Sequence, residues 1–492
     1  MRVFILDNFG FQPTPEQEKA AQMMADFILE PTRESIFLLR GYAGTGKTSL
    51  VGALVKSLDA MKQRTVLMAP TGRAAKVFAL HANHTAYTIH KRIYRQKAFT
   101  GEMVDFMQNV NLLKHTLFIV DEASMISNEG LSGSAFGTGR LLDDLIQFVY
   151  SGEGCRLMLV GDTAQLPPVG EELSPALEPE MLEGYGLEAH HLTLTQVVRQ
   201  LTESGILWNA TRLRQLIAAD EVYALPQLRI AGFPDVVFMP GNELLEALEQ
   251  AYYQCGTDQT IIVTRSNVRA NAFNQGIRGR ILGYEAELTS GDQLMVVKNN
   301  YHWVKPEPME GEEEASALEE PVAPTMDFIA NGDIATIRRY RNEREMHGFR
   351  FVDVTLRFPD YDDREVEATA ILDTLTSEAP ALTRAQQQQL FQRVWDDYPE
   401  IHTKRERMKA VKEDPFFNAL QIKYAYAVTC HKAQGGQWQR VFIDQGYMTE
   451  DMLSPDYFRW LYTALTRATE TVYLVNWPKA QLDAESLKLL GD

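Results

Sequence analysis

The sequence is poor in cysteine and has no long hydrophobic run. Among its 492 residues only Cys155, Cys255 and Cys430 are cysteines, and they form no Cys-x-x-Cys pair. This argues against a disulfide framework and a structural zinc site, and it favours a reducing compartment. No apolar run approaches the roughly 18 residues that span a membrane, and the one near the N-terminus is too short for a secretory signal. We expect a cytoplasmic protein that does not enter a membrane.

Positive charge is also scarce. The chain has 48 Lys and Arg against 66 Asp and Glu, a net charge of −18. This argues against a protein that coats nucleic acid through its overall charge, but it does not exclude a locally basic channel. Hydrophobic residues make up 45% and charged residues 23%, which excludes collagen, coiled coil and bulk disorder. The length predicts several domains.

Short apolar runs indicate a parallel sheet in the first 200 residues. They lie at 35–39, 65–69, 117–120 and 156–160, and polar or glycine residues follow each of them. Buried parallel strands have this pattern, with functional loops at their carboxyl ends. Thr14 and Pro15 are typical of a helix start. We expect a doubly wound α/β core.

A second set of runs, at 260–264, 424–429, 441–444 and 471–475, predicts a second core of the same type. Between its first two members, alternating segments with Gly-Asp turns predict a small inserted β-barrel. The insertion contains seven glutamates within residues 307–320. A solvated loop is the prediction for this run, and an acidic gate or partner-binding segment is the alternative.

Residues 41–48 match the phosphate-binding pattern Gly-x-x-x-x-Gly-Lys-[Ser/Thr] between an apolar strand and a helix. Glycines let the backbone N–H groups point at phosphate oxygens. Lys47 would contact the β- and γ-phosphates of ATP, and the Thr48 hydroxyl would hold Mg²⁺.

Acidic and amide residues follow two later strands. Asp121, at the end of one, would bind Mg²⁺, and Glu122 would orient or deprotonate the attacking water. Gln165 lies in a loop that Pro167 and Pro168 stiffen, where its amide could contact the γ-phosphate or that water.

Beyond these motifs, the chain resembles the superfamily 1 helicases, and within them the 5′→3′ branch (superfamily 1B) that includes RecD and Dda. Segments similar to the family's motifs occur in the family's order over nearly the whole chain, at 11–17, 69–76, 88–90, 161–170, 194–200, 428–436 and 462–468. The resemblance implies two RecA-like doubly wound cores, with a small hairpin insertion in the first and an SH3-like β-barrel insertion in the second. It further implies that Gln17 reads adenine and that Arg199 and Arg467 reach the γ-phosphate across the cleft.

Together, pattern and resemblance assign catalytic roles to Lys47, Thr48, Asp121, Glu122, Gln165, Arg199 and Arg467. Thr48 and Asp121 are the predicted metal ligands. The predicted ATP-binding residues are Gln17, Gly41, Ala43, Gly44, Thr45, Gly46, Lys47, Thr48, Ser49, Arg199, Gly435 and Arg467.

Polar residues at strand ends and helix starts are predicted to grip a single strand of DNA. They are Pro70, Thr71, Thr88, His90, Phe99, Thr264, Arg265, Asn267, Asn299, Asn300, Thr429, His431 and Lys432. Residues 91–101 are basic with interleaved aromatics, which suits single strands, and relatives carry a duplex-splitting pin there. Phe99 or Phe106 would be its wedge.

The predicted domains are a first core at 1–195 with a pin at 92–114, a second core at 196–285 and 415–492, and a barrel at 286–414. The expected function is an ATP-dependent single-stranded DNA translocase that unwinds duplex 5′→3′ and uses Mg²⁺. A monomer acting at single-strand–duplex junctions is expected. The alternatives are an RNA or RNA–DNA helicase and an ATP-gated remodeller that grips DNA without productive unwinding. A phosphotransferase that uses the same phosphate-binding loop would need no arginine from the second half, so Arg199 and Arg467 argue against that class of enzyme.

Overall fold

A computed structural model describes residues 1–30, 34–96, 106–130, 137–197, 203–304, 326 and 328–491, with the side chains of Gln96 and Phe106 left out. The first half has eight strands: β1 (Ser35–Gly41), β2 (Thr65–Ala69), β3 (Ala86–Thr88), β4 (Tyr94–Gln96), β5 (Phe106–Gln108), β6 (Leu117–Val120), β7 (Arg156–Gly161) and β8 (Glu188–Leu194). Its helices are α1 (Arg2–Phe9), α2 (Pro15–Leu29), α3 (Lys47–Ala60), α4 (Gly72–Ala82), α5 (Ile89–Ile93), α6 (Leu141–Ser151) and α7 (Pro179–Glu183).

The second half adds ten strands: β9 (Val236–Met239), β10 (Thr260–Thr264), β11 (Gln293–Val296), β12 (Ile334–Met346), β13 (Phe349–Phe358), β14 (Arg364–Ile371), β15 (Leu420–Tyr424), β16 (Ala427–Thr429), β17 (Trp438–Asp444) and β18 (Ala468–Val475). Its helices are α8 (Gly205–Ala218), α9 (Leu244–Cys255), α10 (Asn267–Gly276), α11 (Arg384–Asp396), α12 (Lys404–Glu413), α13 (Cys430–Ala433), α14 (Pro455–Leu465) and α15 (Ala484–Leu489).

The first half forms a six-stranded parallel sheet in the order β3-β2-β6-β7-β1-β8. Helices cover both faces, so β1 is buried on each side. Phe37 and Leu39 pack into one hydrophobic cluster, and Ile36 and Leu38 into the other. This two-sided burial explains the unbroken apolar run and confirms the predicted doubly wound core. All four predicted strands are present, and β3 and β8 are additional edge strands.

A small antiparallel hairpin, β4–β5, extends from the first core and confirms the predicted hairpin insertion. Its base is fixed by α6. Tyr94 Oη donates to the buried Asp144 carboxylate at 2.6 Å, and Gln108 Nε2 donates to the Asp144 carbonyl oxygen at 2.6 Å. The tip, including Phe99, lies outside the described residues.

The second core is a five-stranded parallel sheet in the order β16-β10-β17-β18-β9. The runs at 260–264, 441–444 and 471–475 are strands of this sheet, as predicted. The run at 424–429 is not one strand. Tyr424 ends β15 in the barrel, and Ala427 begins β16 in the sheet. The two-residue break redirects the chain from one structure to the other.

The inserted barrel closes in the order β11-β12-β13-β14-β15. All neighbouring strands are antiparallel except β14 and β15. Its entry and exit lie side by side, because Ala425 N donates to Gln293 O at 2.9 Å. Since β15 follows residue 414, where sequence analysis ended the barrel, we propose that the barrel extends to Tyr424.

The hydrophobic core of the barrel is continuous with that of the second sheet. Ile337 and Leu356 from the barrel belong to the same cluster as Ile262 and Phe442 from the sheet. Among the described residues no helix is both long and apolar enough to cross a membrane. The glutamate run at 307–320 lies outside the described residues.

Candidate nucleotide site and nucleic-acid groove

The phosphate-binding loop lies between the carboxyl end of β1 and the start of α3. Gly44 and Gly46 have φ of 76° and 78°, which a residue with a side chain rarely adopts. A Cβ on Gly41 would lie 2.9 Å from Lys47 Cγ. These glycines are therefore needed for a curled loop over which the Lys47 stem can lie. Thr48 and Ser49 belong to the first turn of α3.

Lys47 folds back over its own loop. Its ammonium donates to the carbonyl oxygens of Gly41 at 2.5 Å and Tyr42 at 3.0 Å. It also lies close enough to Asp121 to oppose in part the burial that raises the pKa of that carboxyl group. The cation and the acid at the end of β6 therefore share one site, as the sequence predicted.

Asp121 directly follows β6, and Glu122 comes next with φ of 52°. Glu122 N donates to Asp121 Oδ1 at 2.8 Å. Burial, and after it the Glu122 carboxylate, raise the pKa of Asp121 to about 6. Two close acids at a half-buried strand end offer the oxygen ligands that Mg²⁺ prefers. The residues therefore fit a divalent cation.

Gln165 lies in the loop after β7. The residue is 6% exposed, and its Oε1 has no hydrogen-bond partner among the described residues. A buried polar atom without a partner is unfavourable unless a ligand or water meets it. This supports the prediction that the Gln165 amide faces a ligand or a water molecule.

The loop at 162–166 joins the two cores. Arg459 donates to Thr163 O at 2.5 Å, Leu166 N donates to Thr463 Oγ1 at 2.9 Å, and Gln434 Nε2 donates to Leu166 O at 2.8 Å. Arg459 and Thr463 both belong to α14 in the second half. The nucleotide site is thus built from both sheets, as the cleft hypothesis requires.

Tyr462 of α14 makes the most direct connection. Ala43 N, in the phosphate-binding loop, donates to Tyr462 Oη at 2.8 Å, and Tyr462 Oη donates to Asp162 Oδ2 at 2.7 Å. Sequence reasoning placed Tyr462 in a helicase-like segment but gave it no role. A tyrosine in a helical apolar run carries no signal that distinguishes this contact from core packing.

Arg467 follows α14 and is buried. Its guanidinium donates to Thr463 O at 3.1 Å, Gly436 O at 3.3 Å and Thr466 Oγ1 at 3.3 Å. All of these partners belong to the second half, so the reach to a γ-phosphate remains a prediction. Arg199 lies outside the described residues. The chain leading to it is fixed where Thr195 N donates to Glu16 Oε2 at 2.6 Å.

Two predicted ATP-binding residues have other contacts. Gln17 is buried, and its carboxamide accepts from Thr14 N at 2.9 Å and donates to Thr45 O at 2.9 Å. Its structural contact is with the phosphate-binding loop, and adenine recognition stays a prediction. Gly435 lies against α4, because a Cβ there would meet Thr71 Oγ1 and Ala74 Cβ at 3.2 Å. We therefore do not propose Gly435 as a nucleotide contact.

A groove runs where the two cores and the barrel meet. It encloses a cavity of about 130 Å³. The first core contributes Thr71 and Arg73, the barrel contributes Asn331 and Gly332, and the second core contributes His431, Lys432, Gln434 and Trp438. Lys432 Nζ donates to Asn331 Oδ1 across it. Burial, and after it Lys423, lower the pKa of Lys432 to about 8. The structure thus brings Thr71, His431 and Lys432 together as predicted.

Arg73 closes one side of this groove. Its guanidinium lies 4.1 Å from the centre of the Trp438 ring and donates to Gln437 O at 3.0 Å. This pair joins α4 to β17 across the cleft and was not assigned a role from the sequence. A guanidinium over an indole face is a favourable cation–π contact.

Two of the predicted DNA contacts have their polar groups inside the protein, so we do not propose these side chains as contacts. Thr264 is fully buried, and its hydroxyl donates to Ser266 O at 3.0 Å. Asn300 is 9% exposed, and its amide donates to Asn418 O at 2.7 Å. Strand-end position alone does not distinguish an outward hydroxyl from one that closes a loop.

The other predicted DNA contacts remain predictions. Thr71 and Thr88 cap the N-termini of α4 and α5, and burial lowers the pKa of His90 to about 4. Asn299 Oδ1 accepts from Asn331 N at 2.6 Å, next to the groove. Arg265 is exposed at the end of β10, and the remaining three positions, Pro70, Asn267 and Thr429, are half-buried.

Two domain families match the chain. Residues 12–227 match the AAA domain, and residues 424–475 match the UvrD-like helicase C-terminal domain. These two segments contain the phosphate-binding loop and α14, which meet at the site. The ATP-dependent RecD2 DNA helicase of Deinococcus radiodurans is 28% identical over 196 residues, 40% of this chain and 24% of the relative. The resemblance to superfamily 1B helicases is confirmed.

Further relatives are of the same type. The ATP-dependent DNA helicase Pif1 of Bdellovibrio bacteriovorus is 26% identical over 166 residues, 32% of this chain and 35% of the relative. A solved structure of a Pif1 helicase from Bacteroides in complex with ADP-AlF3 and ssDNA has a TM-score of 0.46 and 15% identity, and the match covers 97% of this chain and 96% of that one. The chain spans only 13%, 24% and 33% of the first three curated relatives it matches.

Proposed function

We propose that this protein is an ATP-driven translocase that moves 5′→3′ on single-stranded DNA and unwinds duplex DNA. The observation that carries the proposal is the shared nucleotide site. The phosphate-binding loop and the loop that contains Gln165 belong to one sheet, and α14, which is hydrogen-bonded to Ala43 of the first loop and Leu166 of the second, belongs to the other. A nucleotide bound there would control how the two sheets approach each other.

Within this site we assign ATP hydrolysis to groups of both halves. Lys47 would exchange its bonds to Gly41 and Tyr42 for phosphate oxygens, which are stronger partners for an ammonium group. Glu122 would orient or deprotonate the attacking water, and Gln165 would contact that water or the γ-phosphate. Arg199 and Arg467 would stabilise the charge that develops on the phosphoryl group.

The Asp121 carboxylate and the Thr48 hydroxyl would hold Mg²⁺. The fit rests on the position of Asp121, which is half-buried directly after β6 and lies beside a second carboxylate, Glu122. A cation there would supply charge neutralisation at the phosphates. The protein's own groups would position the nucleotide, Asp121 from the strand end and Thr48 from the start of α3.

The groove supplies the second half of the proposal. The Thr71 hydroxyl at the start of α4 and the Lys432 ammonium group lie where both cores and the barrel meet, so a strand bound there would touch all three. Movement of the cores would then move the strand. DNA is favoured as the polymer by the DNA helicases among the similar proteins. The hairpin β4–β5 is proposed to separate the duplex.

The test is ATP hydrolysis by the pure protein alone, with single-stranded DNA, and with RNA of matched sequence. Strong stimulation by DNA alone is expected, and equal stimulation by RNA would favour an RNA or RNA–DNA helicase. Stimulation by neither polymer would mean that the groove is misassigned. Lys47→Ala should abolish turnover while the fold and DNA affinity remain.

Direction and unwinding need a separate experiment. Duplexes with a 5′ or a 3′ single-stranded tail should be unwound from the 5′ tail only. DNA-stimulated hydrolysis with no unwinding from either tail would instead indicate a remodeller that grips DNA. Lys47→Ala is the matched control in both assays.

A further inference from the structure

Tyr462 is a buried residue that joins three parts of the nucleotide site. It is fully buried on α14. Its hydroxyl accepts from Ala43 N in the phosphate-binding loop at 2.8 Å and donates to Asp162 Oδ2 at 2.7 Å. The other oxygen of that carboxylate, Asp162 Oδ1, accepts from Ala164 N at 2.9 Å. A displacement of the phosphate-binding loop therefore acts directly on α14 and on the loop that holds Gln165.

The contact requires a group that accepts and donates at once. Ala43 offers an N–H and Asp162 offers a carboxylate, so one hydroxyl satisfies both while phenylalanine satisfies neither. Burial, and after it the Asp162 carboxylate, raise the pKa of Tyr462 well above its usual value, so the hydroxyl keeps its proton. Losing it would leave the N–H of the half-buried Ala43 and a buried carboxylate oxygen of Asp162 without that partner, which is costly.

The contacts beside Tyr462 make the connection stiff. Thr463 and Arg459 of the same helix hold Leu166 and Thr163 on either side of Gln165. Arg467 follows the helix, and its guanidinium donates to Thr463 O. A shift of α14 would therefore move Arg467 and the Gln165 loop together.

We propose that the Tyr462 hydroxyl is the positioning group that couples nucleotide binding at the phosphate-binding loop to α14, and through α14 to Gln165 and Arg467. This inference rests on the proposed ATPase function. Tyr462 does not touch the reacting atoms in this account. Its hydroxyl group determines how strongly the second core responds when a nucleotide binds to the first core.

The test is amide hydrogen exchange with Mg²⁺ and a non-hydrolysable ATP analogue, at a concentration that saturates each variant. In the unmodified chain, binding of the nucleotide should slow exchange at residues 41–49. It should also slow exchange along α14, by about fivefold or more. In Tyr462→Phe, exchange should still slow at 41–49, while the effect along α14 should fall to about twofold or less.

Tyr457→Phe is the matched control. Tyr457 is buried on the same helix, and its hydroxyl also has two partners, Gln445 Oε1 at 2.6 Å and Gln481 Nε2 at 3.0 Å, both within the second half. Both variants should lower Tm similarly, but Tyr457→Phe should keep the response of α14. Should Tyr462→Phe not fold, Asp162→Asn, which weakens the acceptor, should reduce that response.

The outcomes separate the two proposals. Absence of slowed exchange at 41–49 in the unmodified chain would contradict the ATP site itself. Slowed exchange there without any response along α14, or a Tyr462→Phe response equal to that of Tyr457→Phe, would overturn the coupling role and leave the ATP site intact.

Discussion

The carboxamide of Gln17 donates a hydrogen bond to the carbonyl oxygen of Thr45 at 2.9 Å, so the start of α2 is fixed to the phosphate-binding loop. The same side chain accepts from Thr14 N and closes the capping box that begins the helix. Gln17 is 1% exposed. A residue that helicase resemblance assigns to the base of the nucleotide thus also holds the loop that binds its phosphates.

Replacing Gln17 with Ala should separate these two roles. If it acts mainly by holding the loop, the affinities for ATP and GTP should fall by the same factor, on the order of tenfold for one lost buried hydrogen bond. The measurement is competition of each nucleotide against a fluorescent analogue. A loss for ATP alone would assign Gln17 to adenine recognition instead.

Arg467→Ala should reduce turnover far more than nucleotide affinity. An arginine that stabilises the transition state raises kcat by a factor of about 10³–10⁵, so its removal should lower kcat by up to that factor. The KM for ATP should stay close to its original value. Arg440→Ala is the control, since Arg440 pairs with Tyr473 Oη at 2.8 Å within the second sheet. Normal turnover in Arg467→Ala would contradict the two-core site.

Gly72→Ala should loosen the barrel from the first core. A Cβ at Gly72 would lie 2.1 Å from Tyr361 Oη and 2.8 Å from Asp333 Oδ1, so the barrel must shift. Overpacking of this kind costs about 1–3 kcal/mol, and thermal unfolding should report a lower Tm.

Two variants check this explanation. Gly276→Ala, on α10, meets nothing within 4 Å and should raise Tm slightly, because alanine favours a helix. Adding Tyr361→Phe to Gly72→Ala removes the nearest atom and should recover part of the loss. An unchanged Tm in the double variant would place the strain elsewhere.

Asp333 should make stability fall as pH rises from about 4 to about 7. Burial raises the pKa of this carboxyl group to about 7, with Asp360 adding to the shift and the bonds from Ala330 N and Tyr361 Oη opposing it. Between these pH values the folded chain therefore holds a proton that the unfolded chain has lost. The free energy of unfolding should fall by at most about 1.4 kcal/mol per pH unit, and this decrease should end above pH 7.

The measurement is Tm of the unmodified chain and of Asp333→Asn across this pH range. Asp333→Asn should gain relative stability as pH rises. Asp353→Asn is the control with the opposite sign, because the Arg344 hydrogen bond holds the pKa of Asp353 at about 2. Its difference from the unmodified chain should be constant above about pH 5, where this carboxyl group is ionised in both the folded and the unfolded chain. A constant difference for Asp333→Asn as well would show that Asp333 has an ordinary pKa.

The sequence predicted those parts of the fold that depend on local pattern. Four of the six strands of the first core follow from apolar runs that helices bury on both faces, and the phosphate-binding loop follows from glycine spacing. Edge strand β8 was not predicted, because all its residues before Leu194 are half-buried or exposed and include His190 and His191. Partial burial removes the apolar signal.

The contacts across the cleft could not be predicted in the same way. Tyr462 and Ala43 are separated by 419 positions, and nothing near either residue indicates that the other is its partner. Thr264 shows the opposite failure, because a threonine at a strand end has the same local pattern whether its hydroxyl faces a groove or the core. Tertiary packing decides both cases.

The shared hydrophobic cluster of barrel and second sheet has a mechanical consequence. Barrel and sheet are packed as one body, whereas the barrel meets the first core through small and polar contacts such as Gly72 against Tyr361 and Lys76 Nζ donating to Pro359 O. Packed interiors resist deformation far more than such seams do. We therefore expect the barrel to move with the second sheet as one rigid body. Each opening and closing of the cleft between the cores would then break and restore the contacts between the barrel and α4.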